Sequence, residues 1–180
     1  MHPVFTIGHS TRAAEEFVAL LRENAVDLLV DVRRFPMSRR YPHFNRDELA
    51  AALRAAGIDY LHAEVLGGRR SPRKDSRNTA WRNAQFRGYA DHMDTPDYRA
   101  AVAELVKRAE TRIQAVMCAE AVPWRCHRNL LADALVARGI EVRHIIQPGK
   151  ADAHTLNKDA HVLEGGFVVY GPRVDQMDLL

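Results

Sequence analysis

The stretch Ile113-Gln-Ala-Val-Met-Cys118-Ala-Glu-Ala-Val-Pro-Trp-Arg-Cys-His-Arg128 decides the fold. Its apolar first part predicts a buried strand that ends at Cys118, and the amphipathic run that follows, up to Arg138, predicts a helix. Between the two lies a polar loop that holds both cysteines of the chain. A strand, a polar loop and a helix N-terminus in this order are where α/β proteins bind anions and place reactive groups.

The same alternation of strand and helix continues on both sides of this stretch. Further strands are predicted at 4–7, 27–33, 58–62 and 140–146, and helices at 11–24, 45–57, 95–110 and 126–138. Alternating elements imply a mainly parallel sheet with right-handed crossovers. We therefore predict a three-layer, Rossmann-like α/β fold with a five-stranded sheet in the order 3-2-1-4-5. Strands 1 and 4 are then neighbours, and the loops that follow them flank one crevice.

Two segments fall outside this alternation. Residues 64–95 are basic and contain glycines, and they are predicted to form an irregular loop insertion that covers or binds a ligand. The tail, 150–180, carries one strand candidate at 166–170 and has no defined role. A chain of 180 residues is expected to form one domain, here with its core in residues 4–146.

The composition is that of an ordinary soluble globular protein, with 47% hydrophobic and 27% charged residues. No apolar stretch reaches 18 residues, so no membrane partner is expected. The N-terminus lacks the layout of a signal peptide, and two cysteines do not make a disulfide scaffold. The expected location is the cytoplasm.

The basic residues are unevenly distributed although the formal net charge is only +3. Residues 33–46 hold five arginines and no acid, and residues 69–87 hold seven basic residues against Asp75 alone. Arginine side chains bind phosphate and carboxylate groups through paired donors. The expected partner is therefore an anionic small molecule or a nucleic acid, with solvated charged faces as the alternative.

The catalytic candidates surround the polar loop. Cys118, at the end of its strand, is a candidate nucleophile whose pKa a helix N-terminus and arginines would lower. Glu120 or His9 could then act as a base, and His127 as a proton donor. Phosphatase-type loops need Cys-x5-Arg, and Arg125 comes one position too late for that pattern. A buried structural cysteine is the alternative.

Ligand-binding candidates come from the same loop and from the ends of other strands. The amides at the start of the last helix, together with Arg128, suit a phosphate group. Asp31 and Arg33 could form a pair that orients the site, and the glycine pair Gly67-Gly68 offers backbone amides beside Arg69. The full set is Ser10, Asp31, Arg33, Gly67, Gly68, Arg69, Cys126 and Arg128.

Other site types remain open. A metal could bind among the cysteines and histidines, including His62, but the chain lacks a Cys-x2-Cys pair. The deaminase pattern is incomplete, because Asn129 stands where a second cysteine is needed. Trp81, Phe86 and Tyr89 lie among arginines, which suits either base stacking or packing on the core. No cofactor is identified by the sequence.

Several of these motifs together resemble the uncharacterised bacterial family called domain of unknown function 488. The matching residues are Thr6-Ile-Gly-His-Ser10, Leu29-Val-Asp-Val-Arg33 with Pro36 and Ser38, Phe44-Asn45, Leu66-Gly-Gly68, Phe86-Arg-Gly-Tyr-Ala90, and Cys118-Ala-Glu120 with Cys126-His-Arg128. They span residues 4 to about 146. The resemblance implies a Rossmann-like α/β fold and does not imply a particular reaction.

The sequence thus favours an enzyme that acts on a nucleotide, nucleic acid or other phosphate-bearing substrate through a Cys/Glu/His/Arg crevice. A non-catalytic nucleic-acid-associated module and a Cys/His metal-binding protein are the alternatives. Substrate, reaction and oligomeric state are not specified by these patterns.

Overall fold

The computed structural model describes residues 1–171. Five helices and eight strands are present in that part of the chain. Their bounds are β1 Val4–Gly8, α1 Ala14–Glu23, β2 Leu28–Asp31, α2 Arg46–Ala55, β3 Asp59–His62, α3 Ala84–His92, α4 Pro96–Arg108, β4 Gln114–Cys118, α5 Arg128–Val136, β5 Val142–Gln147, β6 Lys150–Ala153, β7 Ala160–Leu163 and β8 Phe167–Tyr170. Each strand and helix predicted from the sequence up to residue 146 is found close to its predicted position.

The main sheet confirms the predicted α/β class with a mainly parallel sheet, but its size and order differ from the prediction. It has six strands in the order β3-β2-β4-β1-β5-β6, of which β6 alone is antiparallel to its neighbour. The predicted order 3-2-1-4-5 is wrong because β4 lies between β2 and β1. Strands β1 and β4 are neighbours as predicted. Both orders bury β1 and β4 centrally, so hydrophobic patterning alone does not distinguish them.

Burial on both faces explains why the two central strands are apolar throughout. Every residue of β1 and β4 is buried. Alternate side chains of β4 enter two different hydrophobic clusters, with Val116 in one and Met117 in the other. The cluster around Met117 includes Phe17 of α1 and Leu53 of α2, whereas the cluster around Val116 includes residues of α3, α4 and α5. The sheet is thus covered by helices on both faces.

The segment 64–95 is more ordered than predicted. It contains α3, which begins after Asn83, whose side chain accepts hydrogen bonds from the backbone at the start of the helix. The buried carboxylate of Asp91 accepts hydrogen bonds from Ser76 Oγ at 2.6 Å and Asn78 Nδ2 at 2.8 Å. Since this carboxylate holds the preceding loop against α3, the segment is a folded insertion and not an irregular lid.

The tail adds strands that the sequence only partly predicted. The candidate at 166–170 is confirmed as β8, which pairs antiparallel with β7. The phenol of Tyr170 is buried and donates a 2.7 Å hydrogen bond to Asp133 of α5. Residues 172–180 lie outside the described part. Among the helices of residues 1–171, none has the length and apolar character needed to cross a membrane.

Candidate functional site

A cleft of about 500 Å³ lies at the carboxyl ends of β1, β2 and β4. The loops after β1 and β4 are joined there by backbone hydrogen bonds from His9 N to Cys118 O at 3.0 Å and from Ser10 N to Ala119 O at 2.9 Å. A Cβ atom on Gly8 would lie 1.8 Å from the carbonyl oxygen of Glu120. Only glycine therefore lets the two loops approach this closely.

The floor of the cleft holds both cysteines. Cys118 ends β4 and Cys126 precedes α5, and their Sγ atoms are 2.7 Å apart. Both thiols are free and buried within the protein, yet both border the cleft. The two sulfurs are in direct contact, and either could donate a hydrogen bond to the other.

A buried arginine lies directly beneath the thiols. Arg128 is 1% exposed, and its Nε donates to Cys118 Sγ at 2.9 Å. Its remaining nitrogens donate to Thr6 Oγ1 at 3.2 Å and to Glu120 O at 2.6 Å. No carboxylate in residues 1–171 forms an ion pair with Arg128. A buried guanidinium needs an anion, and the thiol pair is the group in contact that can supply one.

The pKa values of the two thiols diverge. The hydrogen bond from Cys118 lowers the pKa of Cys126 well below its ordinary value, and the nearby His127 and Arg128 act in the same direction. Burial raises the pKa of Cys118. Cys126 also lies just before the N-terminus of α5, where the helix dipole stabilises an anion. These opposite directions favour loss of the first proton of the pair from Cys126 and retention of the second on Cys118.

His127 is positioned between Cys126 and the insertion. Its Nδ1 lies 3.5 Å from Cys126 Sγ, and its ring packs on Tyr89 at a centroid distance of 5.0 Å. A Cβ atom on Gly68 would lie 2.7 Å from Nδ1, so glycine at position 68 leaves room for the imidazole. The Nε2 atom is buried and has no hydrogen-bond partner within residues 1–171.

A second buried network forms one wall of the cleft. The guanidinium of Arg33 binds both carboxylate oxygens of Asp31, at 2.9 Å from Nε to Oδ1 and 2.6 Å from Nη2 to Oδ2. The phenol of Tyr60 donates to Asp31 Oδ2 at 2.7 Å. Arg33 Nη1 lies 3.4 Å from His9 Nε2, and the imidazole of His9 stacks on Phe44. Asp31 thereby fixes the position of Arg33 and His9 without lining the cleft.

A chain of polar groups runs from Arg128 into the protein interior. Thr6 Oγ1 accepts from Arg128 and lies 2.7 Å from His144 Nδ1. His144 Nε2 contacts His154 Nδ1 at 2.9 Å, and His154 Nε2 contacts Asp133 Oδ1 at 2.8 Å. If each group donates to the next, every contact is satisfied with both histidines neutral. Burial agrees with this assignment, because it lowers the pKa of His144 to about 4.

Burial likewise lowers the pKa of His9 from 6.5 to about 4, which makes folding dependent on pH. The unfolded chain binds this proton near pH 6.5 and the folded chain only near pH 4, so the folded state loses stability as pH falls across that window. Within this range, we expect the free energy of unfolding, measured with urea, to fall less steeply with decreasing pH in His9→Gln than in wild type. The expected difference in slope is roughly 1 kcal/mol per pH unit. The exposed His2→Gln is the matched control, and parallel curves for wild type and His9→Gln would contradict the expectation.

The contact between the two sulfurs predicts ready oxidation to a disulfide. With hydrogen peroxide, the Cys126 thiolate attacks one oxygen and releases hydroxide, which leaves a sulfenic acid. The Cys118 thiol then attacks this sulfur, and water leaves as the disulfide forms. Intact-mass measurement should show the loss of two hydrogen atoms and no thiol left to alkylate. Accumulation of a sulfenic or sulfinic acid on Cys126, with Cys118 still alkylatable, would contradict the pairing.

The structure brings eight of the twelve predicted site residues to the cleft. These are His9, Arg33, Gly68, Arg69, Cys118, Glu120, Cys126 and His127. Four others do not line it: Asp31 lies behind Arg33, Arg128 beneath the thiols, Ser10 in the loop after β1 with its N bonded to Ala119 O, and Gly67 against the end of β2. Arg128 does not line the cleft, because its nitrogens donate to Cys118 Sγ, Thr6 Oγ1 and Glu120 O, and its predicted contact with a phosphate stays a prediction.

The structure also shows the surroundings of the aromatic residues considered for base stacking and of the histidine considered as a metal ligand. Tyr89 is a core residue whose phenol donates to Leu66 O at 2.9 Å, and Trp81 stacks on Phe86 at a centroid distance of 5.0 Å. All three rings pack on the core, and Phe86 and Tyr89 also line the cleft. His62 Nε2 lies 2.8 Å from Arg33 O, and residues 1–171 contain no group of three or more His, Cys, Asp or Glu side chains arranged to hold a metal ion.

Other residues of the cleft were missed by sequence reasoning. They are Arg34, Phe35, Met37 and Ser38 after β2, Asn83 and Gln85 before and within α3, and Arg125 between the cysteines. The first group lies in a loop with two prolines that directly follows a buried strand, and this pattern alone could have marked it. The chain from Thr6 to Asp133 had no signal in the sequence, because its members come from distant positions.

Fold and site together define an α/β protein with a mainly parallel central sheet and a pair of thiols at the carboxyl edge of that sheet. A family model described as "Domain of unknown function DUF488" matches residues 13–135, and the chain belongs to this family. No curated protein and no solved structure matches the chain. The resemblance seen in the sequence motifs is thereby confirmed.

Proposed function

We propose that this protein is a thiolate-dependent enzyme that acts on an anionic substrate bound in the cleft. The observation that carries the proposal is the buried guanidinium of Arg128, whose contact at 2.9 Å is a sulfur and not a carboxylate. A protein that only needed packing at this position would have no use for a buried cation, which is costly unless it is paired. Arg128 stabilises a nucleophilic thiolate instead.

The charges around the cleft support an anionic substrate. Arg34, Arg69 and Arg125 line it, and none of the three forms an ion pair with a carboxylate in residues 1–171. Glu120 is the carboxylate that lines the cleft within that range. Among the arginines of the insertion farther from the cleft, Arg73 and Arg77 pair with Asp94. The lining of the cleft thus carries more positive than negative charge beside the two cysteines.

The proposed reaction uses the groups at the cleft floor. The Cys126 thiolate attacks an electrophilic carbon or phosphorus of the substrate and forms a covalent bond to it. The leaving group departs with the electron pair of the bond that breaks. His127, whose side chain borders the cleft, protonates the leaving group. Water, deprotonated by Glu120, then attacks the covalent intermediate and returns the thiolate. Cys118 keeps its proton throughout and stabilises the thiolate by its hydrogen bond.

The experiment that tests this function is an untargeted search for a consumed metabolite. Purified protein and its Cys126→Ser variant are incubated with a small-molecule extract, which is then compared by mass spectrometry. We expect at least one phosphate- or carboxylate-bearing compound to disappear with wild type and to persist with Cys126→Ser. Identical extracts would contradict an enzyme. A compound that is retained by both proteins without chemical change would support a binding module instead.

A further inference from the structure

The cleft has an apolar rim that the proposed chemistry does not use. Phe35 and Met37 line the cleft and are 61% and 78% exposed. Trp124, which precedes the cleft residue Arg125, is 65% exposed. Large apolar side chains grouped at a cleft usually mark contact with a ligand.

The loop that carries Phe35 and Met37 is held in place from below. Asn45, at the start of α2, accepts a hydrogen bond on Oδ1 from Ser38 N at 2.7 Å. The backbone of Arg46 donates to Pro36 O at 3.0 Å. The apolar rim is therefore presented to solvent by a fixed loop, as a preformed binding surface requires.

Cations lie directly beside this rim. The guanidinium of Arg34 is 5.7 Å from the ring centroid of Phe35, and its Nη1 donates to Arg69 O at 3.0 Å. Arg69 has a φ of 59°, a left-handed conformation that non-glycine residues rarely adopt and that is frequent at binding sites. Aromatic rings and guanidinium planes stack on nucleobases, and guanidinium groups bind phosphates. Both kinds of contact are available within one cleft.

The third wall of the cleft offers amide groups. Asn83 and the exposed Gln85 line the cleft, and because Asn83 Oδ1 already accepts from Gln85 N and Phe86 N, the amide of Gln85 is the one available for a paired contact. Side-chain amides form paired hydrogen bonds with the edges of bases. Apolar rim, amide wall and arginines together match a ligand that has a planar heterocycle at one end and negative charge at the other.

We infer that the cleft binds a free nucleotide, with its base against Phe35 and Met37 and its phosphates toward Arg69 and Arg125. This inference rests on the proposed function, because it names the substrate class of the same site. The volume of about 500 Å³ lies in the range of small-molecule sites. A single nucleotide fits such a site better than a long strand does, since a strand needs an extended groove.

Titration calorimetry tests the inference with ADP, UDP and inorganic pyrophosphate at one ionic strength. We expect at least one nucleotide to bind about tenfold more tightly than pyrophosphate, since stacking contributes an amount of this order. Phe35→Ala should abolish that advantage and leave the affinity for pyrophosphate unchanged. Val162→Ala, at an exposed residue of β7, is the matched control and should bind like wild type.

The outcomes separate the inference from the proposed function. Equal affinities for pyrophosphate and both nucleotides would overturn the nucleotide assignment and leave the anionic cleft in place. Absence of binding by all three probes would contradict the anionic cleft itself, whatever the thiolate does. An oligothymidylate that binds at least tenfold more tightly than UDP would overturn the free nucleotide in favour of single-stranded nucleic acid.

Discussion

Replacing Arg128 by methionine should raise the pH at which Cys126 becomes reactive by about 1–3 units, the effect of removing an adjacent opposite charge. The guanidinium contacts Cys118 Sγ, the hydrogen-bond partner of Cys126, at 2.9 Å and is almost fully buried, so water does not screen it. The rate of alkylation by iodoacetamide follows the fraction of thiolate. Its midpoint, measured against pH, reports the shift directly. Methionine has a similar length, and the thiols can take up a proton once the cation is gone.

Two further variants make this result interpretable. Arg128→Lys keeps the positive charge and should hold the midpoint closer to that of wild type, even though it forms fewer hydrogen bonds. Arg143→Met removes an exposed arginine that pairs with Glu141, and it should leave the midpoint unchanged. An unchanged midpoint in folded Arg128→Met would show that the thiolate does not depend on this cation. If Arg128→Met does not fold, Arg128→Lys and Arg143→Met are compared instead. A higher midpoint in Arg128→Lys would show that the thiolate depends on the guanidinium, and equal midpoints would show that it does not.

Replacing Asp31 by asparagine should lower the free energy of unfolding by about 3–5 kcal/mol, the typical cost of leaving one partner of a buried ion pair alone. Asp31 is fully buried, and its partner Arg33 is nearly so. The carboxylate also accepts from the backbone of Arg33 at 3.0 Å and from the phenol of Tyr60. Urea unfolding followed by circular dichroism measures the loss. A loss below 1 kcal/mol would contradict the assigned role.

The matched controls separate charge from hydrogen bonding. Tyr60→Phe removes one hydrogen bond to the carboxylate and should cost about 2 kcal/mol. Asp31→Asn combined with Arg33→Met removes both charges and should recover part of the stability, since no uncompensated ion then remains. The double-mutant cycle gives the coupling energy of the pair. Additive losses would mean that the two side chains do not stabilise each other.

Much of the fold could be predicted because local patterns determine it. Thr95 and Pro96 predict the start of α4, and the structure shows Thr95 Oγ1 accepting from Tyr98 N. Strand order depends instead on which strands pair over long distances. The crossover from β1 to β2 passes over one strand position, and this choice leaves no local mark on the chain. The hydrophobic pattern of β4 fits either side of β1 equally well.

The sequence predicted which residues meet at the candidate site better than it predicted what each of them contacts there. The sequence placed Cys118, Cys126 and Arg128 close together, because they share one loop. It could not show that Arg128 donates to Cys118 Sγ, or which of the two thiols has the lower pKa, because both depend on burial. Asn45 illustrates the same limit: it occupies the predicted position before α2, but its side chain holds Ser38 and does not cap the helix.

The most direct test of the thiolate is an ultraviolet titration of the unmodified wild-type protein. Thiolates absorb where thiols do not, so the absorbance counts ionised cysteines as pH rises. We predict one thiolate equivalent already present at neutral pH and a second that appears only well above the ordinary thiol pKa of about 8.5. Joint appearance of both equivalents near that value would mean that Cys118 and Cys126 are ordinary buried thiols, and that Arg128 has no anion to stabilise.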